Sequence, residues 1–376
     1  MKGSVTQTRD FGVFVDLGGI EGLIPMRELS HDRGIRSEEA VQIGDVVEVQ
    51  VKNIEKKTDA KGREKTEITL SLKALAKDPW ENIELVAPLG RVIALTAAPG
   101  KAIEFGVDET RVLPFADSVG GRYSLWSSIG FSAALALGWD CFEELLEGAA
   151  EMDRHFRLTS LAHNAPVVAA FADLLYTQTR GCATRAVFAY DERLRLLPSY
   201  LQQLEMESNG KSVTRDGAPL GRPSAAITWG GVGTDAQHAV FQLLHQGSHV
   251  VPVEFVGVVE PGDTLDPDHH RQLLVNAFAQ GAALMTGRAA DDANRAYPGD
   301  RPSTTILLDR LDARTLGALI AFYEHRVFVN AALLGINPFD QFGVELGKAM
   351  AREIDDPTTR AAFDPSTLAL IERAGV

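Results

Sequence analysis

A chain of 376 residues with 45% apolar side chains is longer than one ordinary domain and can bury a large core. Its net charge of −14 argues against non-specific nucleic-acid binding by the whole molecule. Two cysteines, Cys141 and Cys182, cannot build a disulfide framework and point to a reducing cytoplasm; no signal peptide precedes the first strand, and no apolar run reaches the ~18 residues of a membrane span. The charge is uneven. Residues 1–80 carry 13 basic and 14 acidic side chains, the remainder 24 and 37, so a near-neutral front precedes an acidic back.

Residues 1–75 predict short strands. Val47, Val49 and Val51 alternate with Glu48, Gln50 and Lys52, and Ile68, Leu70 and Leu72 alternate with Thr69 and Ser71; a period of two marks half-buried strands. Gly3–Thr8, Gly12–Leu17 and Glu21–Pro25 supply three more, with Gly18-Gly19 as a hairpin turn. Five such strands predict a small OB-type β-barrel. The runs Asp10–Leu17, Glu21–Pro25, Ile43–Val47 and Leu70–Leu75 resemble one repeat of the largest small-subunit ribosomal protein, although Pro25 and Arg27 stand where that family often has His and Ser. The resemblance implies single-stranded RNA binding, with Phe11 and Phe14 as a stacking platform and Lys57, Lys61 and Arg63 on the loop before the last strand. The alternative is that both phenylalanines are barrel core.

Residues 76–90 join two kinds of sequence. Asp78-Pro79-Trp80 still resembles the tail of the ribosomal repeat, whereas Arg91–Thr96 is continuously apolar enough to predict a buried strand of an α/β sheet. The expected division is 1–80, a seam at 81–90, and 91–376. Beyond Arg91, Ala186–Tyr190, Ser224–Trp229 and the run from Val250 to Val259 predict central strands. Leu125–Leu146, Ala165–Thr179, Leu194–Met206, Ala236–Gln246, His270–Met285 and Ala313–Leu334 predict helices. This alternation predicts a doubly wound parallel sheet. Ser224–Trp229 runs into Gly230-Gly231-Val232-Gly233-Thr234 and then a helix, a start that favours anions and sugar hydroxyls; its glycine spacing misses the dinucleotide pattern.

Three segments carry the chemistry: Asp117–Ser127 with Gly120-Gly121-Arg122, Leu204–Lys211 with Glu207-Ser208-Asn209-Gly210, and Asn337–Lys348. Together with Gln237-His238 they resemble, in identity and order, the glucose-6-phosphate isomerase family over about residues 90–376. The resemblance implies a SIS-type α/β domain with C-terminal helices, and aldose–ketose isomerisation of glucose 6-phosphate and fructose 6-phosphate, a step of glycolysis and gluconeogenesis. It assigns Glu207 as the base moving a proton between C2 and C1, and Arg122, beside Gly121, as the cation stabilising the enediolate. His238 and Lys348 would serve ring opening, and Gln341 would bind the substrate phosphate. The family's histidine comes from a neighbouring subunit, which implies a cytoplasmic homodimer, with neither metal nor organic cofactor.

The residues alone leave alternatives. Arg122 could be a buried ion-pair partner, and Glu345 and Lys348 a helical surface pair. His245 reads as structural, with substrate contact as its alternative. His269-His270 reads as a helix start rather than a metal site, and the two cysteines as inert core thiols. The family also places a whole α/β domain before the Arg91 strand, including a Gly-Gly-Ser segment and a Ser-Lys-Thr-x-Thr-Thr phosphate loop, and neither motif is found here. The expectation is a fusion of a ribosomal-type repeat to an isomerase portion with impaired activity. An RNA-binding protein with an isomerase remnant is the second reading, and a sugar-phosphate-binding module without turnover the third.

Overall fold

The computed structural model describes residues 1–9, 11–30, 40–58, 64–75 and 89–375, and divides into two compact units, Met1–Pro114 and Phe115–Val376. The first unit contains β1 (Lys2–Arg9), β2 (Gly12–Asp16), β3 (Glu21–Pro25), β4 (Val46–Glu48), β5 (Gln50–Thr58) and β6 (Glu64–Ser71). They form one sheet in the order β4-β1-β2-β3-β6-β5. The β3–β6 pair is parallel and the others antiparallel. β4 and β5 are one strand kinked at Val49, which is buried and exchanges backbone hydrogen bonds of 2.7 Å with Met1. That strand pairs with β1 at one end and β6 at the other, closing the expected five-stranded OB-type barrel. Inward-facing Val5, Val13, Val15, Ile24, Val49 and Leu70 make its core. The Gly18-Gly19 turn has φ of 94° and 97°, suited to glycine, and both amides donate to Asp16 Oδ1.

The expected buried strand Arg91–Thr96 is corrected. Only Ala94–Thr96 (β7) is extended; it is half-buried and pairs in parallel with Val112–Pro114 (β8), across helix α1 (Pro99–Glu104). A strand with one neighbour cannot bury both faces, so the continuous apolar run does not mark a central strand here. The expected seam at 81–90 lies mostly outside the described residues.

The second unit is built on a four-stranded parallel sheet in the order β10-β9-β11-β12, formed by β9 (Thr184–Tyr190), β10 (Ile227–Val232), β11 (Val253–Val258) and β12 (Ser303–Leu308). Helices cover both faces, as the alternation predicts. Val187, Ala189, Val256 and Val258 pack on one face against Leu197–Gln202 (α5) and Ala313–Leu334 (α8). Ala186, Phe188, Tyr190, Val253 and Phe255 pack on the other against Gly233–Gln246 (α6) and Pro267–Thr286 (α7). Each large apolar side chain fully buried here contributes about 1.5–3 kcal/mol.

The remaining helices are α2 (Phe131–Leu137), α3 (Trp139–Leu158), α4 (Ala165–Leu174), α9 (Glu345–Asp355), α10 (Pro357–Arg360) and α11 (Pro365–Ala374). The single helix expected over Leu125–Leu146 is two, broken at Gly138, whose φ is 88°. α3 and α8 touch backbone to backbone: a Cβ on Gly148 would lie 1.8 Å from Arg314 O, and one on Gly317 1.9 Å from Leu145 O. Among the described residues no helix is long and apolar enough to cross a membrane.

Candidate active site

Arg122 organises the site. Gly121–Trp126 forms a tight 3₁₀ segment, held by Ser124 Oγ donating to Gly121 O (2.7 Å) and Trp126 Nε1 donating to Glu324 Oε2 (2.8 Å). The Arg122 side chain is fully covered, and its five N–H groups face five acceptors. Nε donates to Ser208 Oγ (2.6 Å), Nη1 to Gln341 Oε1 (2.8 Å), and Nη2 to the carbonyls of Pro338 (2.5 Å) and Asp340 (3.2 Å). Glu207 Oε2 lies 3.4 Å from Nη1. Arg122 is thus buried and ion-paired, and its partner is the very carboxylate assigned as base.

Glu207 ends a π-helical turn, Gln203–Glu207, that continues α5. A wide turn of this kind re-aims side chains and recurs at functional sites. Gln203 Nε2 donates to Glu207 Oε2 at 3.1 Å. Lys211 Nζ donates to Glu207 O (2.8 Å) and Asp340 O (2.8 Å), and pairs with Asp340 Oδ1 (3.0 Å). A cleft of about 960 Å³ opens along these residues, lined by Gln203, Glu207, Lys211, Ser212, Thr214 and Gln341 among others.

Beneath the turn lies a buried ionic cluster. Glu205, two residues before Glu207, is held by Arg185 from β9, by Arg326 from α8 (2.8 Å) and by Thr228 Oγ1 (2.6 Å). Arg326 also binds Glu254 (2.6 Å) and Asp173 (3.2 Å), and Tyr323 donates to Glu254 (2.7 Å). Two guanidiniums face three carboxylates. Burial pushes the carboxyls of Asp173, Glu205 and Glu254 upward against the pull of Arg185. Breaking one such buried pair costs about 3–5 kcal/mol, so the cluster fixes where the Glu207 turn sits.

The structure therefore brings Arg122, Glu207 and Gln341 together, with Gly121 exposed at the start of the arginine turn. It does not bring His238 or Lys348 to them. His238 is exposed on α6 and Lys348 on α9, and neither is among the residues lining the cleft. Glu345 and Lys348 do not form a surface pair. His245 is structural, bonded to Gln280 Oε1 at 2.8 Å and packed edge-on to Tyr297. His269 and His270 lie in the first turn of α7, where His270 Nε2 donates to Val258 O at 2.9 Å. Burial pushes the Cys182 thiol up, which keeps it protonated.

In the barrel, Phe11 is 60% exposed and stacks edge-on against the half-buried Phe14, with ring centroids 6.1 Å apart; neither belongs to the core. Lys57 lies on β5, and Lys61 and Arg63 lie outside the described residues. Sequence reasoning missed Gln203, Lys211, Glu205 and the arginines beneath it. One signal was available: Arg185 and Glu254 each interrupt an otherwise apolar run.

The second unit is thus a protein of the doubly wound α/β class, with a carboxylate beside a buried guanidinium at the edge of an open cleft. The Phosphoglucose isomerase family model matches residues 67–371, and the chain belongs to that family. Residues 1–61 match the S1 RNA binding domain model. The chain is 73% identical over 294 residues to a glucose-6-phosphate isomerase of Rhizorhabdus wittichii, covering 78% of this chain and 58% of that relative. It is 67% identical over 287 residues to the Zymomonas mobilis glucose-6-phosphate isomerase, covering 76% and 57%. The chain thus spans less than two thirds of the length of these relatives. Among solved structures, a glucose-6-phosphate isomerase from Chlamydia trachomatis superposes with a TM-score of 0.66 at 30% identity, covering 79% of this chain and 65% of that one. A hypothetical protein from Thermus thermophilus shares the fold, with a TM-score of 0.57 at 23% identity.

Proposed function

We propose that residues 91–376 act on glucose 6-phosphate and fructose 6-phosphate by proton transfer through an enediolate, with Glu207 as base and Arg122 as the cation on the developing oxyanion. The observation that carries this reading is the 3.4 Å approach of Arg122 Nη1 to Glu207 Oε2 at the edge of the cleft. A proton acceptor beside a fixed positive charge is the pairing that proton transfer through an enediolate requires. His238, exposed on α6 and away from the cleft, suits delivery into a second subunit's site, so the reading includes a homodimer in the cytoplasm. Lys348 joins the site in the same reading.

Activity is expected to be impaired. Arg122 is fully covered; of the cations lining the cleft, Lys211 donates to two carbonyls and pairs with Asp340, and Arg215 is exposed and 3.7 Å from Asp216. A sugar phosphate held with two fewer charge-assisted hydrogen bonds, at about 1.5–3 kcal/mol each, binds roughly 10²–10⁴-fold more weakly. A coupled isomerase assay on the full chain, with Glu207→Gln as control, tests both parts. Turnover equal to that of an intact relative would refute the impairment, and turnover unaffected by Glu207→Gln would refute the role of Glu207.

A second activity is supported by the exposed Phe11 edge-on to Phe14: residues 1–80 bind single-stranded RNA by stacking bases on this pair, assisted by Lys57, Lys61 and Arg63. Stacking of about 1–3 kcal/mol per base makes a single module a weak binder.

A further inference from the structure

We propose that Lys211 is a positioning residue for Glu207, fastening the turn that carries this carboxylate to the segment that carries Gln341 and so setting the width of the cleft between them. The inference rests on the isomerase reading for its kinetic consequence, but its geometry stands apart from it. An ammonium has three N–H donors. Two of those of Lys211 go to Glu207 O and Asp340 O, both at 2.8 Å, and the charge pairs with Asp340 Oδ1 at 3.0 Å. The ammonium is thus engaged by the two walls themselves.

The lysine is itself held in place. Its backbone N–H donates to Ser224 Oγ at 3.0 Å. The preceding Gly210 lies so close to the turn that a Cβ there would sit 2.2 Å from Met206 O. On the other side, the segment 337–341 has little internal fastening: Asn337 Oδ1 accepts from Phe339 N at 3.1 Å. Phe339 packs its ring against Tyr123 and Phe328, and the segment's polar ties to the rest of the unit run through two cations, Arg122 to Pro338 O, Asp340 O and Gln341, and Lys211 to Asp340. Arg122 belongs to the reacting groups and must change partners when substrate arrives. Lys211 has no such task, so it keeps the registration of the two walls while Arg122 is occupied.

The test compares the full chain with Lys211→Met, Lys211→Arg and Asp340→Asn, reading amide hydrogen exchange by mass spectrometry alongside the coupled assay. In Lys211→Met, exchange across residues 337–344 should rise about tenfold or more, as expected for lost charge-assisted bonds, while strands β9 and β11 keep their protection. Asp340→Asn should produce a smaller rise over the same residues, and Lys211→Arg should restore part of the protection. In the assay kcat should fall together with exchange protection, without the rise in KM that loss of a phosphate contact gives. Unchanged exchange at 337–344, or an increase spread equally over β9 and β11, overturns the proposal, as does a rise in KM with unchanged kcat. A parent chain without turnover refutes the isomerase reading alone, because the exchange measurement still decides the role of Lys211.

Discussion

Arg122 and Gln341 hydrogen-bond to one another at 2.8 Å, so the guanidinium assigned to the enediolate and the amide assigned to the phosphate satisfy each other in the free protein. A substrate has to separate them. Gln341 is the partner with most freedom to leave, since the other acceptors of Arg122 are a serine beside the base, the base itself and backbone carbonyls.

Removing the guanidinium strands all of these groups at once. Arg122→Met is expected to destabilise the chain by about 3–5 kcal/mol, the usual cost of breaking a buried charge pair, measured by denaturant unfolding. Gln341→Ala, which removes an exposed partner, should cost under about 1.5 kcal/mol.

Glu207→Gln retains shape and hydrogen-bonding reach but removes the base. Whatever turnover the parent shows should fall by about 10²–10⁴-fold, with a loss of stability no larger than the about 3–5 kcal/mol of a broken buried pair, because Arg122 loses its charge partner but keeps its neutral acceptors.

Glu324 supplies a pH prediction. Burial pushes its carboxyl from 4.5 up to about 7, against the favourable Trp126 hydrogen bond. A raised carboxyl pKa means that the folded state holds a proton the unfolded state has released. Its contribution is therefore fully present below about pH 4.5 and is lost as pH rises through about 7, amounting to about 3 kcal/mol in all. Unfolding free energies measured at pH 5 and pH 8 should differ less in Glu324→Gln than in the parent.

In the barrel, Phe11→Ala should leave stability within about 0.5 kcal/mol, as for exposed side chains, whereas Val13→Ala, fully buried, should cost about 1–3 kcal/mol. If the aromatic pair is an RNA platform, Phe11→Ala weakens binding to a single-stranded oligonucleotide by about 1–3 kcal/mol, and added salt weakens parent binding too. Equal affinities for parent and variant would refute that use of Phe11.

How much of this was legible in the sequence follows from the range of the forces involved. Alternation of Val47, Val49 and Val51 reports a local period, and it gave the barrel. The apolar runs of β9 and β11 report burial on two faces, and they gave the central strands. β12 was missed because Ser303-Thr304-Thr305 opens a strand at the sheet edge, where exposure lets polar residues in. Glu207, Arg122 and Gln341 were identifiable because each sits in a distinctive local segment. Lys211, in one of those segments, escaped because its partner Asp340 lies far along the chain. The Glu205–Arg185–Arg326 cluster escaped for the same reason: pairs drawn from a turn, a strand and a helix leave no spacing in the sequence.

The kink at Val49 has a consequence for synthesis. Among the described residues, one strand serves both ends of the barrel's sheet, so no strand is left without a partner on either side, and these pairings lie within the first 71 residues. Such a module can finish folding while the longer parallel sheet, whose strands are joined over far greater distances, is still being translated.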